Sequence, residues 1–159
     1  YGLPLYIARG VTVVERDKSY TRPGTTLPLD EHDNFLYKLH ALVRTSRRVT
    51  LYRVWGDDGK VTAGLVRNYW TPRRPSLSID NLRYASMHAQ PREGLAAKPI
   101  WNPMIEVAEA DLVPRAEVYV GRAAPQSHAG IRYSGGDIQF FLDASSYGDL
   151  VIRHRHTLR

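Results

Sequence analysis

The segment VTLYRVW at residues 49–55, followed by a turn signal at residues 56–59, is the strongest strand pattern in the chain. Because side chains alternate along a strand, Leu51, Arg53 and Trp55 share one face. An arginine between two large apolar neighbours lies at a strand edge or beside an anionic group, since burying an unpaired charge is costly. Arg53 is therefore expected to form a salt bridge with an internal carboxylate or to bind an anionic ligand.

Short strand patterns separated by glycine and proline turns flank this segment. They fall at residues 5–8, 11–15, 61–66, 104–108, 116–120, 137–143 and 150–154. Upstream, apolar residues recur with a helical period at Phe35, Leu36, Leu39, Leu42 and Val43. They predict an amphipathic helix over residues 30–45, capped by Asp30, and a second short helix is expected within residues 76–89. The sequence thus predicts a mostly antiparallel α+β fold with an N-terminal amphipathic helix.

Length and composition restrict the class of protein. The 159 residues, 43% of them hydrophobic and 24% charged, are typical of one folded globular domain spanning 1–159. No segment approaches the ~20 apolar residues of a membrane span, so no membrane partner is expected. The chain has no cysteine, which excludes a thiol nucleophile, an iron–sulfur cluster and a cysteine-ligated zinc.

The charge balance favours acidic partners. The formal net charge is +6, and the positive residues comprise 18 arginines and only 4 lysines. Arginine binds phosphates and carboxylates through paired N–H groups, so nucleic acid, a phosphorylated cofactor and an acidic protein are all candidates. GC-rich codon usage alone also explains an excess of arginine. The candidate nucleic-acid-binding residues are the clustered arginines Arg44, Arg47, Arg48, Arg73 and Arg74.

Two further motifs could carry chemistry. Gly135 and Gly136 lead into a strand pattern in which Gln139 and Phe141 share a face, and the glycines permit close approach of backbone or ligand. An ordinary hairpin with a solvent-facing glutamine explains the same pattern. The aromatic pair at residues 69–70 could stack on a flat ring or fill a core. No metal is expected, because the histidines lack ligand spacing.

Five segments in order, at residues 52–56, 69–72, 98–102, 119–126 and 135–139, carry a family resemblance over about residues 49–143. The chain resembles C-terminal toxin domains of bacterial polymorphic toxins of the Rhs or contact-dependent type. These domains are similar to the ADP-ribosyltransferase superfamily and to NAD glycohydrolases of the tuberculosis necrotizing toxin type.

The resemblance implies an ADP-ribosyltransferase-like split β-sandwich that binds NAD, its substrate, between two small sheets. It implies that Arg53 holds the NAD phosphates and that Gln139 orients the nicotinamide ribose. The glutamate usual in the superfamily is missing at the position of Gln139, and the sequence does not choose among other acids such as Glu106, Glu109, Glu117 and Asp137. The remaining residues expected to contact NAD are Tyr52, Tyr69, Trp70, Phe141, Gly135 and Gly136.

The function expected from these observations is that of an antibacterial toxin. It would cleave NAD and transfer ADP-ribose to a macromolecule, RNA or protein, with RNA favoured by the basic charge. The alternatives are a glycohydrolase that depletes NAD and a non-enzymatic nucleic-acid-binding domain. The resemblance further implies a neutralising immunity protein as partner. It also implies a secreted or delivered effector that acts in the cytoplasm of the target cell.

Overall fold

The computed structural model describes residues 11–17, 29–57, 59, 62–65, 68–72 and 106–157. Eleven strands and two 3-10 helices, η1 and η2, lie in these ranges. In chain order they are β1 (Val11–Asp17), η1 (Leu29–Asn34), β2 (Phe35–Thr45), β3 (Val49–Asp57), β4 (Thr62–Ala63), β5 (Tyr69–Trp70), β6 (Glu106–Leu112), β7 (Glu117–Ala123), β8 (Gln126–His128), β9 (Ile131–Tyr133), β10 (Ile138–Phe141), η2 (Ala144–Asp149) and β11 (Leu150–Thr157). Neither helix in this part of the chain is long and apolar enough to cross a membrane.

The strands form two larger sheets and a separate hairpin. One sheet has five strands in the order β1-β2-β7-β10-β5, and the other has four in the order β11-β6-β3-β4. Strands β8 and β9 pair with each other. Every pairing between these strands is antiparallel.

The main hydrophobic core joins the two sheets. It contains side chains of β2, β5, β7 and β10 from the five-stranded sheet and of β3 and β6 from the four-stranded sheet. Leu51, Trp70 and Phe140 are among its largest fully buried members. The opposite face of the five-stranded sheet carries a second buried group, here called the outer aromatic cluster: Phe35, Tyr119 and Phe141, against which Leu42 and Tyr69 pack.

The predicted α+β class and the amphipathic helix over residues 30–45 are wrong. Residues 29–34 form a 3-10 helix and residues 35–45 form β2, and no α-helix occurs among the residues that the structure describes. Both faces of β2 are apolar, because Ala41 and Val43 enter the main core while Leu42 packs on the outer cluster. Such two-sided burial removes the polar–apolar alternation by which an ordinary half-buried strand is recognised.

A bulge in β2 also explains why the apolar residues of this segment recur with a helical period in the sequence. Phe35 pairs with Ala123 and His40 with Gly121, so five steps along β2 match only two along β7. Within the bulge, Tyr37 has a φ of 56° and its side chain is 82% exposed. The extra residues break the period of two, and the apolar positions then recur at spacings of three and four as they do in a helix.

Several of the strand predictions are confirmed. The predicted strand at 49–55 lies within β3, that at 11–15 within β1, and that at 150–154 within β11. The segments predicted near 104, 116 and 137 correspond to β6, β7 and β10 with shifted ends. The expected strand at 5–8 and helix within 76–89 lie outside the described residues.

Candidate functional site

The two sheets meet at the short segment 68–72. Tyr69 and Trp70 form β5 and pair with β10 of the five-stranded sheet. Thr71 forms an isolated bridge with Tyr52 of β3, in which their main-chain groups exchange hydrogen bonds of 2.7 and 2.9 Å. The Thr71 hydroxyl donates to the carbonyl oxygen of Ile138 at 3.0 Å. The strands that carry Arg53 and Gln139 therefore both adjoin this segment.

Arg53 is held against the same segment by main-chain acceptors. Its Nε donates to the carbonyl oxygen of Gly64 and its Nη1 to that of Tyr69, both at 2.9 Å. The side chain is half-buried. Two bonds from one planar group determine the orientation of the guanidinium as well as its position. Arg53 thus places a positive charge of defined orientation at the junction of the two sheets.

Gln139 lies on the outer face of β10 and is 5% exposed. Its Nε2 donates to the main-chain oxygen of Asn34 at 2.7 Å, which determines the rotation of the amide. Within the described residues, no group donates to its Oε1. The predicted alternation of β10 is confirmed, because Ile138 and Phe140 enter the main core while Phe141 joins the outer aromatic cluster beside Gln139. Gln139 thus presents an oriented hydrogen-bond acceptor.

The aromatic side chains predicted to contact NAD pack mainly against protein. The ring centroids of Tyr69 and Phe141 are 5.1 Å apart in an edge-to-face arrangement, and those of Tyr69 and Phe35 are 6.5 Å apart. Trp70 is only 1% exposed and belongs to the main core, as the core-filling alternative expects. Tyr69 and Tyr52 are half-buried and keep part of their surface accessible.

A carboxylate that the sequence analysis did not select, Glu31, lies next to Tyr69. The Tyr69 hydroxyl donates to Glu31 Oε2, and the Asn34 side-chain amide donates to the same oxygen at 2.8 Å. The Asn34 amide also donates to the Tyr69 hydroxyl at 3.0 Å. No local signal indicated this contact, because Glu31 and Tyr69 are 38 positions apart.

Two of the acids considered as substitutes for the missing glutamate form ion pairs on strands. Glu117 pairs with Arg44, and Glu109 pairs with Arg153. Asn34 links Glu31, Tyr69 and Gln139 by hydrogen bonds. Its side-chain amide donates to Glu31 and to the Tyr69 hydroxyl, and its main-chain oxygen accepts from Gln139. Among the described residues, Glu31 is an acid that shares a hydrogen-bonded network with Gln139.

The glycine pair is shaped by a close approach of backbone. Gly135 and Gly136 have φ values of 69° and 95°. A Cβ on Gly135 would lie 2.5 Å from the carbonyl oxygen of Ala123, whereas one on Gly136 would meet nothing within 4 Å. Gly136 donates its main-chain N–H to Ala123 at 2.8 Å and accepts a bond from Arg122 Nη1 at 2.9 Å. The contact of these glycines with NAD stays a prediction.

The arginines proposed to bind nucleic acid have different surroundings. Arg44 forms an ion pair with Glu117, and Arg48 Nη1 lies 3.4 Å from Asp111 Oδ2. Arg47 is exposed and makes no ion pair within the described residues. Residues 73 and 74 lie outside them. In this part of the chain no group of three or more His, Asp or Glu side chains is arranged to hold a metal ion.

Comparison with known proteins gives a structural likeness at low sequence identity. No family model matches the chain, and no curated protein matches it. A chain in the solved structure of Tne2 in complex with Tni2 superposes with a TM-score of 0.50 and 16% sequence identity, covering 75% of this chain and 90% of that one. At this identity the likeness concerns the fold. The present chain thus shares its β-sheet fold with that protein.

Proposed function

We propose that this chain is a toxin domain that cleaves the bond between nicotinamide and ribose in NAD. The observation that carries the proposal is that Tyr69 and Asn34 connect Arg53 to Gln139. Arg53 donates to the main-chain oxygen of Tyr69, Asn34 Nδ2 donates to the Tyr69 hydroxyl, and Gln139 Nε2 donates to the main-chain oxygen of Asn34. A chain of the complex of Tne2 with Tni2 shares this fold, and that likeness supports a toxin domain with a protein partner. The ordered motifs of the sequence point to the same substrate.

In the proposed reaction the chain binds and orients NAD and supplies fixed charges and dipoles. Arg53 would bind the pyrophosphate, since charge-assisted bonds from a guanidinium suit phosphate oxygens. Gln139 Oε1 would accept a hydrogen bond from a hydroxyl of the nicotinamide ribose. Water attacks C1′, the C–N bond breaks with its electron pair leaving on neutral nicotinamide, and the water gives up a proton. Positioning and electrostatics can supply most of the rate of such a reaction.

The carboxylates beside two of the candidate nucleic-acid-binding arginines favour hydrolysis of NAD over transfer of ADP-ribose to RNA. Arg44 and Arg48 have carboxylate partners in Glu117 and Asp111, which reduces the positive charge available to an RNA acceptor. Transfer to RNA or protein stays a prediction, and the assay below distinguishes it from hydrolysis. We also propose that an immunity protein binds this domain and that the domain acts in the cytoplasm of a target cell.

The test is to incubate the protein with NAD labelled in the adenosine part, in buffer and then with cell lysate. Free ADP-ribose, label on protein and label on RNA are counted separately. Hydrolysis predicts ADP-ribose as the main product in both samples, and label retained mainly on a macromolecule would instead support transfer. Absence of NAD loss in both would refute the proposed function.

Gln139→Ala tests the mechanism. We expect kcat to fall by about 100-fold with a smaller change in KM, because the hydrogen bond from the ribose hydroxyl to the Gln139 amide oxygen strengthens as the glycosidic bond breaks. Gln126→Ala, in the separate β8–β9 hairpin, is the matched control and should keep wild-type turnover. Equal turnover in the two variants would refute the role of Gln139.

A further inference from the structure

The carboxylate of Glu31 is held at one oxygen only. Its Oε2 accepts hydrogen bonds from the Tyr69 hydroxyl and from Asn34 Nδ2. Among the described residues no group donates to Oε1. The side chain is half-buried, so it is partly shielded while still in contact with solvent. One oxygen thus sets the orientation of the carboxylate, and the other can accept a proton or a hydrogen bond.

The same short helix connects this carboxylate to Gln139. Asn34, the last residue of η1, bonds Glu31 through its side chain and Gln139 through its carbonyl oxygen. Its side-chain amide also bonds the Tyr69 hydroxyl at 3.0 Å. A small displacement of η1 would move both the carboxylate and the acceptor that restrains the glutamine. Glu31 and Gln139 are therefore positioned by one structural element.

A glutamine cannot act as a base at neutral pH, so Gln139 does not account for activation of the attacking water. Glu109 is paired with Arg153 of the neighbouring strand β11, and Glu117 with Arg44 of the neighbouring strand β2, so both carboxylates already bind a guanidinium group. Glu31 is bonded to a hydroxyl and an amide instead of a cation. Tyr69 and Asn34 therefore set the orientation of the Glu31 carboxylate, and its Oε1 accepts no hydrogen bond from the described residues.

We infer that Glu31 is the general base of the reaction, an assignment that rests on the proposed cleavage of NAD. In this step a water molecule forms a bond from its oxygen to C1′ of the nicotinamide ribose. The C–N bond breaks and its electron pair leaves on neutral nicotinamide. The proton of the water passes to Glu31 Oε1 and then to solvent. The products are ADP-ribose, nicotinamide and one proton, so charge and atoms balance.

The first test is Glu31→Gln in the whole chain, assayed with NAD for kcat and KM. Glutamine keeps the length of the side chain and an acceptor oxygen for the Tyr69 hydroxyl, but it cannot take a proton. We expect kcat to fall by about 100-fold, within the range for loss of a general base, with little change in KM. Asp33→Asn, an exposed acid in the same short helix, is the control and should keep wild-type kcat. A Glu31→Gln variant with at least half of the wild-type kcat would overturn the assignment.

The second test separates catalysis from positioning and does not depend on the first variant folding well. In Glu31→Ala, added formate supplies a small carboxylate, and we expect it to raise kcat at least about 10-fold in a saturable manner. Formate should have no such effect on Tyr69→Phe, which loses the phenol bond and keeps the base. Loss of activity in Glu31→Ala without any rescue would show that Glu31 only positions Tyr69. Failure of the wild-type protein to cleave NAD would instead refute the proposed function, and the base assignment with it.

Discussion

Replacing Gly121 with alanine tests how β2 is fitted over β7. Gly121 lies opposite His40 of β2 and Gln139 of β10. A Cβ at this position would lie 2.5 Å from Cδ1 of Phe35 and 2.6 Å from the carbonyl oxygen of Leu39. The phenyl ring can turn, but the carbonyl oxygen belongs to the bulged backbone of β2. The overlap can therefore be relieved only by moving that backbone.

The expected loss of stability follows from this geometry. Overpacking of a well-packed interior costs about 1–3 kcal/mol, and a contact with backbone favours the upper end of that range. For a domain of this size each kcal/mol lowers the Tm by about 2–4 °C. We therefore expect Gly121→Ala to lose about 3 kcal/mol and about 6–12 °C in Tm. This is a large part of the roughly 5–15 kcal/mol that stabilises an ordinary domain.

Thermal unfolding followed by circular dichroism, together with urea titration, measures the loss. Gly148→Ala is the matched control, because a Cβ at Gly148 meets nothing within 4 Å. Its Tm should change by less than about 3 °C. NAD turnover should also fall in Gly121→Ala, because Phe35 directly follows Asn34, the partner of Gln139. Equal melting temperatures for the two variants would refute this account of β2 packing.

Three other substitutions test individual contacts. Arg153→Ala should cost about 1–3 kcal/mol in urea unfolding, because it removes a partner 3.1 Å from the buried carboxylate of Asp111. Arg44→Ala breaks the exposed ion pair with Glu117 and should cost under about 1 kcal/mol. An equal loss of stability in Arg153→Ala and Arg44→Ala would show that burial of the Asp111 carboxylate does not strengthen its ion pair. Arg53→Lys should raise the KM for NAD by about 10-fold or more and lower the Tm by about 2–4 °C, because one ammonium group cannot reproduce both hydrogen bonds from the guanidinium to the carbonyl oxygens. An unchanged KM would remove Arg53 from the NAD site.

The sequence determined the features that depend on near neighbours in the chain. Alternation along residues 49–55 and 137–143 predicted both strands and the faces of their side chains, and the structure confirms them in β3 and β10. It also predicted that Arg53 and Gln139 contact NAD, which stays a prediction; the strands of both residues adjoin the segment 68–72. A period of two survives into the fold because it follows from the geometry of the strand alone.

The tertiary structure decided what depends on residues distant in sequence. Residues 35–45 became a strand because β7 offered a partner on one edge and hydrophobic groups covered both faces, which outweighed the helical spacing. Glu31 reached Tyr69 across 38 positions, and Asn34 reached Gln139 across 105. Such contacts are set by strand order and register, which a single sequence does not encode in any local pattern. The candidate base therefore became apparent only when η1 was placed against β5 and β10.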